Sequence, residues 1–177
     1  MNRRLALIPF LLVITGCTWG QMGGPPGPEV KKLDYFVGSW TTEGTIAQGP
    51  WGAGGKFTGT NTIEWIPGSF FVQSSSDAKM PPELGGDSKA LMIMGYDTQQ
   101  GNYTSDRFTS LGQHESSKGS LSGDTWTWTN TSSYGGMEIQ GKLTMKTVSP
   151  TSYTFKYEIS MDGKTWTPFM DGKATKK

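Results

Sequence analysis

Residues 137–146 read MEIQGKLTMK, and apolar or small residues alternate with polar ones along this stretch. A period of two predicts a β-strand that has one face on a core and the other in solvent. Residues 153–161, YTFKYEISM, repeat the alternation after Ser149-Pro150, a dipeptide typical of turns. The two stretches therefore predict consecutive antiparallel strands joined by a short connection.

The same alternation extends outward over most of the chain, between turn signals such as Asp162-Gly163. It predicts about ten strands, at residues 39–48, 56–66, 70–76, 89–96, 102–109, 113–121, 125–130, 137–147, 152–161 and 166–175. Connections this short leave no room for crossover helices, so the pattern favours an all-β, antiparallel up-and-down β-barrel without exposed edges. One short helical turn is expected before the first strand, where Leu33, Phe36 and Val37 have helical spacing.

Composition excludes several classes of protein. The chain has 177 residues, of which 34% are hydrophobic and 18% are charged, with 25 Gly and 10 Pro. These proportions differ from those of disordered, collagen-like or coiled-coil chains and favour one compact domain. A formal net charge of +1 lacks the clustered Lys and Arg that nucleic-acid binding needs, so we expect no nucleic-acid partner.

The N-terminus has the pattern of an export signal. Arg3 and Arg4 precede an apolar run at residues 5–14, which is too short to span a membrane. The residues ITGC at 14–17 then resemble the bacterial lipobox, whose cysteine receives lipid and becomes the new N-terminus. This resemblance implies a signal peptide at residues 1–16 and lipidation at Cys17. An ordinary secretory signal with an incidental cysteine is the alternative.

The destination that this signal predicts is the cell envelope. By resemblance to lipoproteins, Thr18 in place of a retention aspartate points to the outer membrane, so we expect an exported protein anchored by lipid. Cys17 is the only cysteine, which excludes disulfides and cysteine-based metal sites within the chain. Residues 17–30 are rich in Gly and Pro and are expected to form a tether, with the barrel domain at residues 31–177.

Several motifs resemble a known bacterial family. Gly38-Ser39-Trp40, at the start of the first strand, is similar to the G-x-W signature of lipocalin and calycin barrels. With LDYFVGSWTTEG, IPGSFFVQ, GYDTQQGNY, RFTSLG, GSLSGD and the final SPTSYTFKYEISMDGKTWTPFMDGKATKK, the chain resembles the domain-of-unknown-function 1579 family over residues 28–174. The resemblance implies a calycin-like barrel and no particular activity, since the family's function is not established. Thr109 stands where the family pattern has an aspartate, so an acid-dependent role there does not carry over.

The candidate catalytic and metal-binding residues do not form a recognisable site. The alternation forces no pair of carboxylates inward, which argues against a two-carboxylate glycosidase. His114, the only histidine, shares a strand face with Ser116 and Lys118 and is expected in solvent, unlike a catalytic or haem-ligating histidine. Nitrobindin-like barrels share the opening motif but place an iron-binding histidine near the C-terminus, where residues 166–177 contain none. We therefore predict no cofactor and no catalytic metal.

Three other features have alternative interpretations. Asp106 and Arg107 lie on opposite faces of one strand and are both expected at the surface, unless a buried Arg107 caps the barrel end as in lipocalins. Met92 and Met94 share a strand face, and without a neighbouring histidine they indicate core packing rather than Cu(I) ligation. The loop at residues 75–89 is interpreted as a lid over a barrel mouth or as a partner-binding arm.

The inward-facing positions are the candidate ligand-binding site, because their lining is aromatic with a few polar groups. The candidates are Trp40, Asn61, Trp65, Met94, Tyr96, Trp126, Trp128, Tyr153 and Tyr157. In a hollow barrel they would hold a small apolar or aromatic ligand, and in a filled barrel they are simply the core. The sequence leaves two functions open: a lipid-anchored ligand-binding barrel, or a filled-core envelope protein that acts through its outer face or loops. An enzyme ranks behind both.

Overall fold

The computed structural model of the chain describes residues 24–50, 52–134 and 136–177. The predicted signal peptide at 1–16, the predicted lipidation site Cys17 and the first part of the predicted tether lie outside the described residues. Within the described ranges, no helix combines the length and the apolar character needed to cross a membrane.

Ten strands follow a short helical segment. The segment comprises α1 (Pro28–Lys31) and a 3₁₀ helix (Lys32–Phe36). The strands are β1 (Gly38–Ile46), β2 (Gly55–Trp65), β3 (Phe71–Lys79), β4 (Ser88–Asp97), β5 (Asn102–Thr109), β6 (His114–Ser122), β7 (Thr125–Tyr134), β8 (Met137–Ser149), β9 (Ser152–Ser160) and β10 (Thr167–Lys176). A second 3₁₀ helix (Pro82–Leu84) lies between β3 and β4.

The strands form one closed antiparallel barrel. Each strand pairs with its neighbours in sequence, and β1 closes the barrel by pairing with both β2 and β10. Trp40 in β1 is thereby opposite Asn61 on one side and Lys176 on the other. The predicted all-β up-and-down barrel with a short N-terminal helical turn is confirmed.

Two strand boundaries differ from the sequence prediction in a way that bears on function. β3 continues to Lys79 and β4 begins at Ser88, with Asp77 paired to Lys89. The loop predicted at residues 75–89 is therefore shorter than expected, because residues 75–79 and 88–89 are paired sheet and residues 80–87 connect the strands. The serines of β3 lack the apolar alternation that marks a strand in sequence. β7 likewise extends to Tyr134 rather than ending at residue 130.

Residues 28–36 close one end of the barrel, and we call them the plug. Leu33 and Phe36 are buried in the same core cluster as Trp40, Trp126 and Tyr153, which project from three different strands. The indole Nε1 of Trp40 donates to the carbonyl of Phe36 at 2.7 Å. The plug therefore packs against the inner face of the barrel wall.

The beginning of the plug lies within the predicted tether. Pro28–Lys31 is helical and Val30 is buried, so the tether predicted to run to residue 30 gives way to packed structure at Pro28. The hydroxyl of Tyr103 donates to Glu29 Oε2 at 3.0 Å, and Lys32 Nζ lies 2.7 Å from the same oxygen. Burial of a single apolar side chain, Val30, carries no periodicity that a sequence pattern could show.

Candidate functional site

The barrel interior contains a cavity of about 200 Å³ between the plug and the opposite end, which we call the mouth. Its apolar wall consists of Phe36, Ile63, Met92, Met94, Trp128, Leu143, Met145 and Tyr153. Its polar wall consists of Asn61, Ser105, Arg107, Glu115, Ser117 and Asn130. The cavity is thus an apolar space in which polar groups line part of the wall.

In the described part of the structure, three larger hollows are found on the outside of the barrel. They measure about 720, 440 and 430 Å³ and are open grooves bordered by outward-facing side chains such as Thr58, Lys118 and Lys173. They lack the enclosed apolar walls that are typical of a small-molecule site. The interior cavity is therefore the candidate site.

Strand register arranges the cavity wall in layers. Met94, Ser105, Ser117 and Asn130 face one another in turn across β4, β5, β6 and β7. Because inward residues on a strand lie two positions apart, about 7 Å along the strand, Trp128 lies one layer nearer the plug than Asn130. The same step from the serine layer toward the mouth reaches the charged residues of the wall.

Those charged residues are Arg107 and Glu115, which are direct cross-strand partners in β5 and β6. Met92 in β4 pairs with Arg107 on the other side. Among the ion pairs of the described residues, none joins the guanidinium to the Glu115 carboxylate or to any other acid. Two opposite charges therefore face the cavity side by side without a direct ion pair between them.

Asn130 provides an unpaired donor at the cavity wall. The residue is 9% exposed, and its Oδ1 accepts a hydrogen bond from the Tyr157 hydroxyl at 3.4 Å. Its Nδ2 has no hydrogen-bond partner among the described residues. A buried donor without a partner is destabilising by about 1–3 kcal/mol. A ligand acceptor at this position would remove that penalty.

Tyr157 lies near these charges and is held in place by a close backbone approach. A side chain at Gly141 would collide with the Tyr157 hydroxyl and with Asn130 Oδ1, so glycine is required for the two groups to meet. Burial raises the pKa of Tyr157, the charge of Glu115 raises it further, and the Asn130 hydrogen bond and Arg107 oppose the shift. The Tyr157 hydroxyl is thus neutral at physiological pH and acts as a donor to Asn130.

The barrel wall separates beside Glu115. The ladder between β6 and β7 ends at the pair Ser117–Asn130. The neighbouring ladders continue further toward the mouth, to Phe108–His114 between β5 and β6 and to Tyr134–Met137 between β7 and β8. The two strands consequently part at the mouth, next to the charged residues.

The structure divides the predicted ligand-binding residues between the cavity and the plugged end. Asn61, Met94, Trp128 and Tyr153 line the cavity. The others lie outside its wall: Trp40, Trp65, Tyr96 and Trp126 belong to the core around the plug, and Tyr157 lies against Asn130.

Trp65 lies at the plugged end, where its Nε1 donates to Asp34 of the plug at 2.8 Å.

Arg107 has neither of its predicted places. The cation over the Trp40 ring is Lys176, whose Nζ lies 4.9 Å from the ring centroid. Arg107 is therefore neither an end cap nor a surface residue, because the strand alternation that places Asp106 outside turns it into the cavity.

Sequence reasoning missed the polar wall of the site. Ser105, Arg107, Glu115, Ser117 and Asn130 were not among the candidates, although strand parity contained the signal. The outward position predicted for His114 implies an inward Glu115. The signal is weak because these strands carry polar residues on both faces.

On the outer face, His114 forms an exposed cluster with Asp106 and Ser116. His114 Nε2 lies 3.1 Å from Asp106 Oδ1 and 3.4 Å from Ser116 Oγ, and its ring stacks on Phe108 at 4.7 Å. Carboxylate and hydroxyl approach the same ring nitrogen, whereas a catalytic triad needs them on opposite nitrogens. The described residues also contain no group of three or more His, Cys, Asp or Glu side chains arranged to hold a metal ion.

Comparison with known proteins identifies a family and a fold. The profile of the family described as "Protein of unknown function (DUF1579)" matches residues 25–176. A search of curated proteins finds no match. The crystal structure of Rv2717c from M. tuberculosis is similar with a TM-score of 0.61 at 10% identity, covering 86% of this chain and 99% of that one.

A second similar structure is the S-type phycobiliprotein lyase CPES from Guillardia theta. Its TM-score is 0.52 at 8% identity, and the match covers 83% of this chain and 91% of the lyase. At such low identities these similarities establish the barrel fold alone.

Proposed function

We infer that this chain, which belongs to the DUF1579 family of proteins of unknown function, binds a small, mostly apolar molecule inside its barrel. The observation that carries the proposal is the interior cavity of about 200 Å³ with the unpaired Asn130 Nδ2 at its wall. The similarity to the phycobiliprotein lyase is one of fold, so the proposal rests on the cavity of this chain.

An unfilled interior lowers the free energy of unfolding, so a cavity is unfavourable in a fold maintained only for stability. In a closed apolar core, residual voids destabilise by about 24 cal/mol per Å³, so filling the apolar part of this space would stabilise the fold. The walls contain serines at positions where larger side chains would fill the space. Retaining the void is therefore better explained by an occupant than by packing.

The volume limits the size of that occupant. An apolar cavity of about 150 Å³ accommodates benzene, and typical drug-sized sites begin at about 300 Å³. A space of about 200 Å³ therefore suits one aromatic ring or a short branched chain with a few additional atoms.

Isothermal titration calorimetry with indole and toluene tests this function. Ser105→Leu places a branched side chain in the cavity between Met94 and Ser117, and should weaken binding at least about ten-fold, a difference of 1.4 kcal/mol. Thr104→Leu, one residue away on the outer face, is the matched control and should bind as the unmodified protein does. Absence of saturable binding to the unmodified protein, or equal weakening by both substitutions, would exclude the cavity as the site.

The same proposal includes an envelope location. The lipobox resemblance at residues 14–17 supports lipidation of Cys17, and the plug lies at the barrel end opposite the mouth. A protein anchored through Cys17 would have its plugged end nearest the membrane and its cavity mouth facing away from it. Cys17→Ser should move the protein from the membrane fraction to the soluble fraction of bacterial cells. An unmodified N-terminal mass with unchanged fractionation contradicts the anchor.

An apolar patch on the outer face favours the alternative, an envelope interaction protein. Leu91 and Phe108 are cross-strand partners, 40% and 47% exposed, and His114 stacks on Phe108. This alternative predicts that the Cys17→Ser protein still sediments with envelope material and that Phe108→Ser releases it. Loss of sedimentation in Cys17→Ser alone argues against it.

A further inference from the structure

We propose that the ligand of this cavity is zwitterionic at one end, with an anionic acceptor and a cationic donor joined to an apolar body, as in a hydrophobic α-amino acid. This rests on the proposed function, because it describes the occupant of the same site. It is carried by the polar wall at the mouth, where Arg107, Glu115 and Asn130 meet the apolar depth of the cavity.

Two opposite charges line the mouth end of the cavity. Arg107 is the single arginine of the described residues, and its guanidinium projects from the barrel wall beside Glu115. A ligand carboxylate alone would pair with Arg107 but would also lie close to the Glu115 carboxylate. A ligand ammonium alone would face the converse repulsion from Arg107. A head group with both charges satisfies the two side chains together.

Asn130 supplies an unpaired donor to the same cavity. Its Oδ1 is already an acceptor for the Tyr157 hydroxyl, so Nδ2 is the group that remains available to a ligand. Ser117, its cross-strand partner, is the inward neighbour of Glu115 on β6. The buried donor therefore favours a ligand acceptor, and a carboxylate has two oxygens to share between Nδ2 and the guanidinium.

The distance from Asn130 to the apolar depth of the cavity fits a short side chain on the ligand. Trp128 and Asn130 are inward neighbours on β7, about 7 Å apart along the strand. Met94, Leu143 and Met145 surround the same apolar space. A benzyl or branched alkyl group attached one or two bonds from the charged head group spans this distance. The α-amino acid arrangement has that connectivity.

Four probes with a common phenyl group test the inference by calorimetry: phenylalanine, 3-phenylpropionate, 2-phenylethylamine and ethylbenzene. Phenylalanine should bind at least about ten-fold more tightly than each of the other three. Arg107→Gln should weaken phenylalanine and 3-phenylpropionate but leave ethylbenzene unchanged. Glu115→Gln should weaken phenylalanine and 2-phenylethylamine. Asn130→Ala should weaken the two carboxylates.

Outward-facing neighbours supply matched charge controls. Asp106→Asn and Lys118→Gln remove single charges from the other face of β5 and β6, and both should leave all four affinities unchanged. Thermal melting checks that each variant folds. Should Arg107→Gln fail to fold, Arg107→Lys keeps the charge and removes the planar donor pair, and it should still weaken the two carboxylates.

The outcomes distinguish a failure of this inference from a failure of the proposed ligand-binding function. If ethylbenzene binds in a manner sensitive to Ser105→Leu but phenylalanine binds no better, the head group is wrong and the ligand-binding function stands. If 3-phenylpropionate binds more tightly than phenylalanine, the site prefers a simple acid and the zwitterion is overturned. If no probe binds, the proposed function itself fails.

Discussion

The two ends of the barrel are built from the same strands but differ in how the interior is used. At the plugged end, Leu33 and Trp40 are almost completely buried, at 0% and 1% exposure. Toward the mouth, Arg107 and Glu115 face a cavity. Strand β7 contributes to both, with Trp126 in the core around the plug and Asn130 at the cavity wall.

This difference suggests that stability and ligand binding are separated along the barrel axis. Aromatic contacts between plug and wall, such as Phe36 with Trp126 at 5.0 Å, fill one end. The other end keeps small and polar side chains that leave space. Substitutions at the plug should therefore alter the free energy of unfolding, whereas those near the mouth should alter binding.

The largest expected effect is the loss of an aromatic side chain at the plugged end. Trp40→Ala should lower the free energy of unfolding by about 3–5 kcal/mol, because the ring is enclosed on all sides. Trp128→Ala should have a smaller effect, since that ring already borders a void. Urea denaturation of the two variants measures the contrast. Equal losses would mean that the interior is filled at both ends.

A smaller effect on the free energy of unfolding is expected from the hydrogen bond that joins the plug to the barrel wall. Tyr103→Phe removes the hydrogen bond to Glu29 and should lower the free energy of unfolding by about 1 kcal/mol. Tyr96→Phe is the matched control, because its ring packs on Tyr103 at 4.9 Å at the same end of the barrel. Urea denaturation should show a loss only for Tyr103→Phe, with probe affinity unchanged in both. A change in affinity would couple the plug to the cavity.

The smallest expected effect is on the pH dependence of stability, and it arises in the turn between β9 and β10 at the mouth end. Backbone amides of Thr165 and Lys164 donate to Asp162 and lower its pKa from 3.8 to about 2. Because the pKa is lowered in the folded state, the stabilisation is present above about pH 4 and disappears as the pH falls toward 2.

Asp162→Asn should consequently be less stable than the unmodified protein at neutral pH and converge with it in acid. Thermal melting between pH 2 and pH 7 measures this convergence. A difference in melting temperature that stays constant over the whole range would contradict the assignment of the stabilisation to the Asp162 carboxylate.

Sequence predicted the fold well wherever one strand face was apolar and the other polar. Residues 137–147 and 152–161 satisfy that condition, and β8 and β9 lie there. The prediction ended β3 too early, among serines that give no alternation; β5 and β6 were predicted close to their observed bounds, but both of their faces are polar, so the inward positions of Arg107 and Glu115 were not recognised as part of a site. Alternation identifies faces by polarity, so a functional site that turns charges inward removes the signal that would locate it.

The plug was only partly predicted for a related reason. Leu33 and Phe36 have helical spacing, and the helical turn they indicated is present. Val30 and Glu29, by contrast, follow a Gly- and Pro-rich run and act through long-range contacts, including the hydrogen bond to Tyr103. Contacts between residues 74 positions apart leave no trace in a local pattern.

The central claim is that the barrel is hollow toward the mouth and accepts an apolar group there. A crystal structure of the protein grown with bromobenzene tests it most directly, because the anomalous signal of bromine locates the probe. The account predicts bromine among Met94, Trp128 and Leu143. A cavity filled by the protein's own side chains, or bromine found only on the outer face, would contradict it.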